Sequence, residues 1–524
     1  MRSVDRRSEG RGSAEPQLNR DAAAAAGAPL LIVATTPGAA AVLLAEEAGP
    51  ARASILCLEG GSSEDQAAFA RAAAEAAGRG CPADGAPRPL PTERLVDALL
   101  RELYAVRPAR VLTLDPHAGR EGSPAGRREA DLVLAVLDAV EEYQRDTGRP
   151  VFTDCRVIDA EAWPAPASRP RYPAPLHWAV RGTDGRLSAY LPVPGGVARW
   201  TEEPDGRWSG PELLDVPGLL PGLTVVQGPD GYTKLIGLRR TRPASGEWNI
   251  EVVCALQYQS GRPLGPWHAQ PNPHRAEPLR GRYLGYPSAA CDADGTLHVF
   301  VRNDGHGVNT CHQRADGAWS GWTHLAGAKT ADENVALPVP DGTVEMYARL
   351  RDRPGTVRWH RGGPGGKWAE DRRGAPVYAA PGSLAAAPEG AALRFRYAET
   401  GEPCEWRWGA QGPVSLNAPR IAGRVVGAAG VPVGGWSCTV LAAVDEQGCC
   451  AIGTYVDNSP ESGVWWSPTG RRTLVPPAVV RDRTGRVIIA TLDPAGRLSV
   501  ARQMPGQALD FGPWDCVAGP ADGG

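Results

Sequence analysis

Asp294-Gly295-Thr296-Leu297-His298-Val299-Phe300-Val301-Arg302, followed by Gly317-Ala318-Trp319-Ser320-Gly321-Trp322, decides the fold of most of this chain. A turn signal opens the unit, an alternating strand follows, and an aromatic closes it. Asp-Gly between alternating segments is the strongest short hairpin signal, because a type I′ turn needs positive φ at both central residues. Asp184-Gly185, Asp230-Gly231, Asp341-Gly342 and Glu389-Gly390 repeat the opening, with Gln447-Gly448 and Thr484-Gly485 as weaker members. The closing positions are Trp208, Trp267, Trp322, Trp368, the Gly412-Pro413 step, Trp466 and Trp514. Counting turns and counting closing positions both give seven units, spaced 45 to 59 residues apart. Seven units of about four short strands specify a seven-bladed β-propeller. Its ring is expected to close by Velcro-like pairing of the first and last blades.

Tryptophan marks where that fold begins. All 16 tryptophans lie at or beyond Trp163 in a chain of 524 residues, too long for one ordinary core. Upstream, apolar runs of strand type at 30–34, 54–58 and 110–114 alternate with helical spacing at 64–79, 92–104 and 127–143. That alternation predicts a Rossmann-like α/β domain, with a mostly parallel sheet whose working edge lies at the carboxyl ends of its strands. The expected division is a disordered tail over 1–25, the α/β domain over 26–162 and a proline-rich linker over 163–175. The propeller follows over 176–518, with a short tail over 519–524.

The net charge of −3 gives no electrostatic steering toward nucleic acid or anionic lipid. No stretch is long and apolar enough to span a bilayer. Eleven cysteines without Cys-x-x-Cys spacing argue against a disulfide framework and a structural zinc site. A reducing cytoplasm follows. Secretion is the alternative, because Arg20 and the Ala-rich run after it can be read as a signal peptide.

Residues 30–61 carry a further pattern. Thr36-Pro37-Gly38-Ala39-Ala40 after the first strand resembles the first motif of the LmbE-like (PIG-L) zinc de-N-acetylases, which carry His-Pro-Asp-Asp-Glu there. Ser123-Pro124-Ala125-Gly126-Arg127 resembles their second motif, His-Pro-Asp-His-Arg. The resemblance covers roughly residues 28–165 and implies three metal ligands at Thr36, Ala39 and Gly126, with the general base at Gly38. Zinc needs imidazole, thiolate or carboxylate donors. These side chains supply none, so the expectation is a pseudoenzyme with no metal and no cofactor. The Gly-x-Trp-Ser-Gly-Trp phrase at 317–322, with a partial copy at 206–211, is similar to the repeat of bacterial seven-bladed sugar-binding lectin propellers. That resemblance implies a carbohydrate ligand.

Candidate sites follow from polar clusters at strand ends. Asp115 and His117 lie two apart after a strand, beside the emptied motifs, and are read as a base and its orienter or as a turn device. Glu59, Arg127 and Arg128 are the other polar survivors there. Arg302, Asp304 and His306 follow a strand and are placed at the propeller mouth, with Asp332-Glu333-Asn334 and Asp457-Asn458-Ser459 at comparable positions. Trp319 and Trp322 are candidates for stacking on a ligand or for packing between blades. Two functions remain open. One is non-catalytic recognition of a glycan or glycosylated small molecule. The other is a metal-independent enzyme of secondary metabolism, of cyclase or isomerase type, using the emptied cleft or the propeller pocket. Partners are a small molecule or carbohydrate, with no nucleic acid and no membrane.

Overall fold

A computed structural model describes residues 28–517, apart from 48–50, 119–121, 160–166, 242–247, 275–276, 315–316, 373–374 and positions 261, 326, 328, 364, 419 and 507. Both expected tails and the first residues of the proline-rich stretch lie outside the described residues.

The described residues from 28 to 170 build one sheet clothed by helices. Its strands are β1 (Ala28–Ala34), β2 (Ala51–Cys57), β3 (Arg88–Pro89), β4 (Arg110–Thr113), β5 (Phe152–Asp159) and β6 (Ala167–Pro170), in spatial order β3-β2-β1-β4-β5-β6. β1 pairs in parallel with β2 and β4, and β4 with β5, while β6 runs antiparallel to β5. The proline-rich stretch therefore contributes an edge strand before it leaves the sheet. The helices are α1 (Pro37–Ala45), α2 (Ser63–Gly78), α3 (Leu95–Val106) and α4 (Pro124–Thr147). Alternate side chains of β1 explain the two-sided cover. Leu31 and Val33 join Leu99, Leu103, Leu132 and Val136 on one face. Leu30, Ile32 and Ala34 join α1, α2 and a core that continues through Tyr172 and Leu220 into the propeller.

Seven four-stranded sheets follow, each built from strands consecutive in sequence. The innermost strands are Ala179–Arg181, Leu219–Gln227, Ser288–Cys291, Thr330–Pro338, Ala385–Ala387, Val426–Val433 and Ala478–Arg481; each touches the next around the ring, except that Leu219–Gln227 meets blade 1 at its second strand, Leu187–Val193. The expected closing positions fall where the outermost strands begin: Trp208 and Trp368 start theirs, and Trp267, Trp322 and Trp514 immediately precede theirs.

Two details differ from the sequence expectation. The Asp-Gly turns are not type I′, because only the glycine has positive φ. In the clearest case Gly295 N donates to Asp292 O at 3.0 Å and Asp292 N to Thr296 O at 3.1 Å. That is a type I turn closed by a left-handed glycine. Gln447-Gly448 forms the same turn but between the second and third strands of blade 6. The turn after that blade's inner strand is Gly434-Gly435.

The ring also closes without a Velcro strand. All four strands of blade 7 come from 478–516, and its inner strand packs on that of blade 1. Side chains make the seam. Trp178 Nε1 donates to Pro476 O at 2.9 Å, Arg502 pairs with Glu202 at 2.6 Å, and one core cluster mixes Trp178, Leu191 and Trp200 with Ile488, Leu492 and Val500. Trp178 is fully buried there. Trp178→Ala is therefore expected to lower stability by about 3–5 kcal/mol, read as an earlier urea midpoint. An unchanged midpoint would place ring closure elsewhere.

Candidate functional site

Three loops of the α/β layer and the starts of several blades meet across the propeller mouth. Asp115 and His117 leave the carboxyl end of β4, and Arg171 and Tyr172 follow β6. On the propeller side, Arg302 ends the second strand of blade 3, and Asp332 and Glu333 lie early in the inner strand of blade 4. These residues, with Tyr283, Tyr286 and His306, line one cavity of about 810 Å³. Asp115 and His117 thus line the same cavity as Arg302 and His306 of the second candidate cluster. Its rim includes the exposed side chains of Arg169 and Arg351.

A partly buried carboxylate joins the two halves. Asp332 bonds Arg171 of the layer and Arg302 of the propeller, and Arg171 lies 3.6 Å from Asp115. Burial alone would raise the Asp332 carboxyl, but the two guanidiniums overcome it and hold it well below the usual carboxylate range. Arg171 is held above its ordinary range, because Asp332 and Asp115 outweigh the effect of burial.

Asp115 and His117 do not form a base and orienter pair. Asp115 Oδ1 accepts the backbone N–H of His117 at 2.9 Å, and the ring Nδ1 meets Arg171 instead. An arginine can only donate, so Nδ1 is the acceptor in that contact. The ring stands edge-on to Tyr172 and Tyr283, with centroids 6.4 and 5.7 Å away. His117 lines the cavity with its Nε2 shielded from solvent. Asp115 serves as turn device and partner to Arg171.

His306 occupies a conformation that favours glycine. Its φ is 61°, in a turn where His306 N donates to Asn303 O at 3.0 Å and Asn303 N to Gly307 O at 2.8 Å. The neighbouring turns fill that position with glycine. A histidine there costs backbone energy and presents an imidazole beside Arg351. The remaining candidates lie apart. Asp304 turns to Arg280 at 3.2 Å, and Trp319 and Trp322 pack partly buried on the core, with Trp322 Nε1 bonding Pro271 O. Glu59 pairs with Arg128 at 2.9 Å on the surface.

The zinc implied by the de-N-acetylase resemblance does not fit the residues present. Thr36 caps α1, its hydroxyl accepting from Ala39 N at 3.3 Å. A Cβ on Gly38 would overlap the Asp65 carboxylate, and one on Gly126 would overlap the Ala118 carbonyl. Among the described residues, no three His, Cys, Asp or Glu side chains converge as metal ligands.

A second cavity, about 510 Å³, runs down the propeller axis between inner strands and includes Val180, Val225, Ala289 and Val480 in its wall. The segment from Pro173 to His177 enters it; Arg424 donates to Ala174 O, and His177 Nε2 lies 3.2 Å from Ala386 O. Pro173, Ala174, Tyr286 and Arg424 line both cavities, so they form the partition between mouth and channel.

No protein-family model and no curated protein matches the sequence. Among solved structures, the BP39L lectin of Burkholderia pseudomallei aligns at 13% identity and a TM-score of 0.47, over 66% of this chain and 99% of that one. The Aleuria aurantia lectin in complex with Fucα1-6GlcNAc aligns at 13% identity and 0.34, over 58% and 99%. A family 25 polysaccharide lyase, an ulvan lyase, aligns at 11% identity and 0.41, over 64% and 93%. At these values the likenesses assign neither ligand nor reaction to this chain.

Arg171, Tyr172, Tyr283, Arg396, Arg424 and Glu129 had no motif to reveal them. Glu129 on α4 accepts Asp115 N at 3.4 Å, and its carboxyl is pushed up to about 7, first by burial and further by the Asp115 charge. A carboxyl raised on folding stabilises fully below its unfolded value near 4.5 and loses that contribution as pH rises through about 7. Glu129→Gln should therefore flatten the melting temperature between about pH 5 and 7.5 relative to the parent. Parallel pH profiles for the two proteins would show that Glu129 titrates normally.

Proposed function

We propose that the cavity between the α/β layer and the propeller recognises a glycan or glycosylated small molecule, and that the layer is a metal-free pseudo-deacetylase serving as its cap. The observation that carries this reading is the convergence of fixed polar groups and tyrosine rings from both halves on one cavity of about 810 Å³. Sugars present hydroxyls to planar donors and acceptors, and apolar C–H faces to rings. Arg302 is locked by Asp332 and by Asn303 O at 2.6 Å, and His117 is held by Arg171, so these groups are ordered before a ligand arrives. The left-handed His306 supports the same reading, since a structural turn would be served better by glycine.

Metal-independent catalysis in this cavity is the second reading. Glu129 does not line the cavity itself but accepts the backbone N–H of Asp115, which does; its carboxyl near neutrality favours this reading, because a general acid or base works best with a pKa near the working pH.

The test is a glycan panel screened by direct binding, followed by variants. His306→Gly should leave the melting temperature unchanged or higher and weaken binding of any hit at least about tenfold, equivalent to roughly 1.4 kcal/mol. Trp322→Ala, away from the cavity, should leave affinity within about twofold. The reverse pattern would move recognition to the outer edge of blade 3. Conversion of a bound compound, abolished in Glu129→Gln at unchanged affinity, would select the catalytic reading.

A further inference from the structure

We propose that the ligand of this cavity carries an anionic group, held by Arg396 and Arg424. This rests on the reading that the cavity is the recognition site. It adds a charge requirement that a sugar alone does not impose.

Charge is the first argument. Nine arginines face the cavity against five carboxylates, which leaves four positive charges in formal excess. Every one of those carboxylates is already committed. Asp332 is shared by Arg171 and Arg302, and Asp115 lies against Arg171. Asp154 bonds Arg110, and Glu46 bonds Ser168 and lies 3.6 Å from Arg156. Glu333 pairs with Arg349 at 3.2 Å and accepts Gly382 N and Leu384 N at 2.9 and 2.6 Å.

The second argument is what remains. Among the described residues, neither Arg396 nor Arg424 has a carboxylate within salt-bridge distance. Arg424 donates to the carbonyl of Ala174, a neutral acceptor. Arg396 Nε is buried with no hydrogen-bond partner. Both guanidiniums are held below the ordinary arginine range, by burial foremost, with the already engaged Glu333 opposing it only in part. The carboxylate-paired Arg110 and Arg171 are shifted the other way. A desolvated cation without a counter-charge is costly to keep.

Position is the third. Arg396 ends the second strand of blade 5, and Arg424 stands just before the inner strand of blade 6. Adjacent blades thus bring both to the same mouth, and Arg424 sits in the partition above the axial channel. Two planar forks suit a carboxylate, phosphate or sulfate, each of which accepts paired N–H bonds.

The experiment compares D-glucuronate, glucose 6-phosphate, inorganic phosphate and D-glucose as probes on the full chain, by calorimetry and thermal shift. The anionic probes should raise the melting temperature and bind at least about tenfold more tightly than glucose, with affinity falling as salt rises. Arg396→Gln and Arg424→Gln should each abolish that preference. Both should melt no lower than the parent without ligand, since each removes a partly buried charge that has no carboxylate partner. Arg424→Lys, which keeps charge but not the fork, should bind more weakly than the parent and better than Arg424→Gln. Preference for glucuronate would identify a sugar acid, and equal response to inorganic phosphate and glucose 6-phosphate would identify the phosphate group itself; either supports the proposal. Glucose binding as tightly as glucuronate would overturn this inference and leave the recognition site standing. Silence from all four probes would overturn both.

Discussion

One carboxylate, Asp332, holds this molecule's two folding solutions in register. It is clamped by Arg171 from the α/β layer and Arg302 from blade 3, with 14% of its side chain left exposed. Replacing such a cluster by hydrophobic side chains is often neutral, but removing one member leaves a stranded charge that costs about 3–5 kcal/mol. The arrangement therefore specifies geometry more than it adds stability. It fixes where the layer sits, and with it where His117 and the tyrosines stand.

The rest of the interface follows from that placement. Phe152 of β5 stacks on Trp200 of blade 1 with ring centroids 6.4 Å apart. Along α4, Gln144 bonds Pro194 O at 2.6 Å, Glu141 accepts Gly218 N at 3.1 Å, and Asp138 pairs with Arg240. These contacts touch blades 1 and 2, whereas the cavity opens over blades 3 to 7. The layer is thus seated on one side of the ring and spans the other. The segment after β6 reaches into the axial channel, so the same chain that forms the cap also closes the floor.

The propeller was legible because a closed ring repeats its constraints. Six of the seven blades place a left-handed glycine at the first turn, blade 5 using Ala391 instead, and most put a bulky residue where the outer strand begins; the spacing of Asp-Gly and Trp records both. The turn type was misread because Asp-Gly also suits a type I turn closed by a left-handed glycine, and the sequence does not distinguish the two. Three parallel strands (β1, β2 and β4) and the helices α2, α3 and α4 are visible as alternating periods, whereas β3 and β5 carry no such signal. The site was half legible. Polar residues at strand ends singled out Asp115, His117, Arg302, His306 and Asp332, but strand ends do not tell which loops meet. Arg171 looked like part of a proline-rich connection, and nothing in the sequence marks Arg396 or Arg424. Their significance lies in what fails to pair with them, which is a property of the assembled mouth alone.

The central claim is that layer and propeller form one site through the Asp332 cluster. A double-mutant cycle of Arg171→Met and Asp332→Asn, read as unfolding free energy, tests it most directly. The account predicts strong non-additivity, with the double variant less destabilised than the sum of the singles by about 1–3 kcal/mol, because each single removes one of the other's charge partners and the second substitution then loses nothing further there. Additive effects within about 0.5 kcal/mol would mean that the two residues do not meet, and would contradict the shared site.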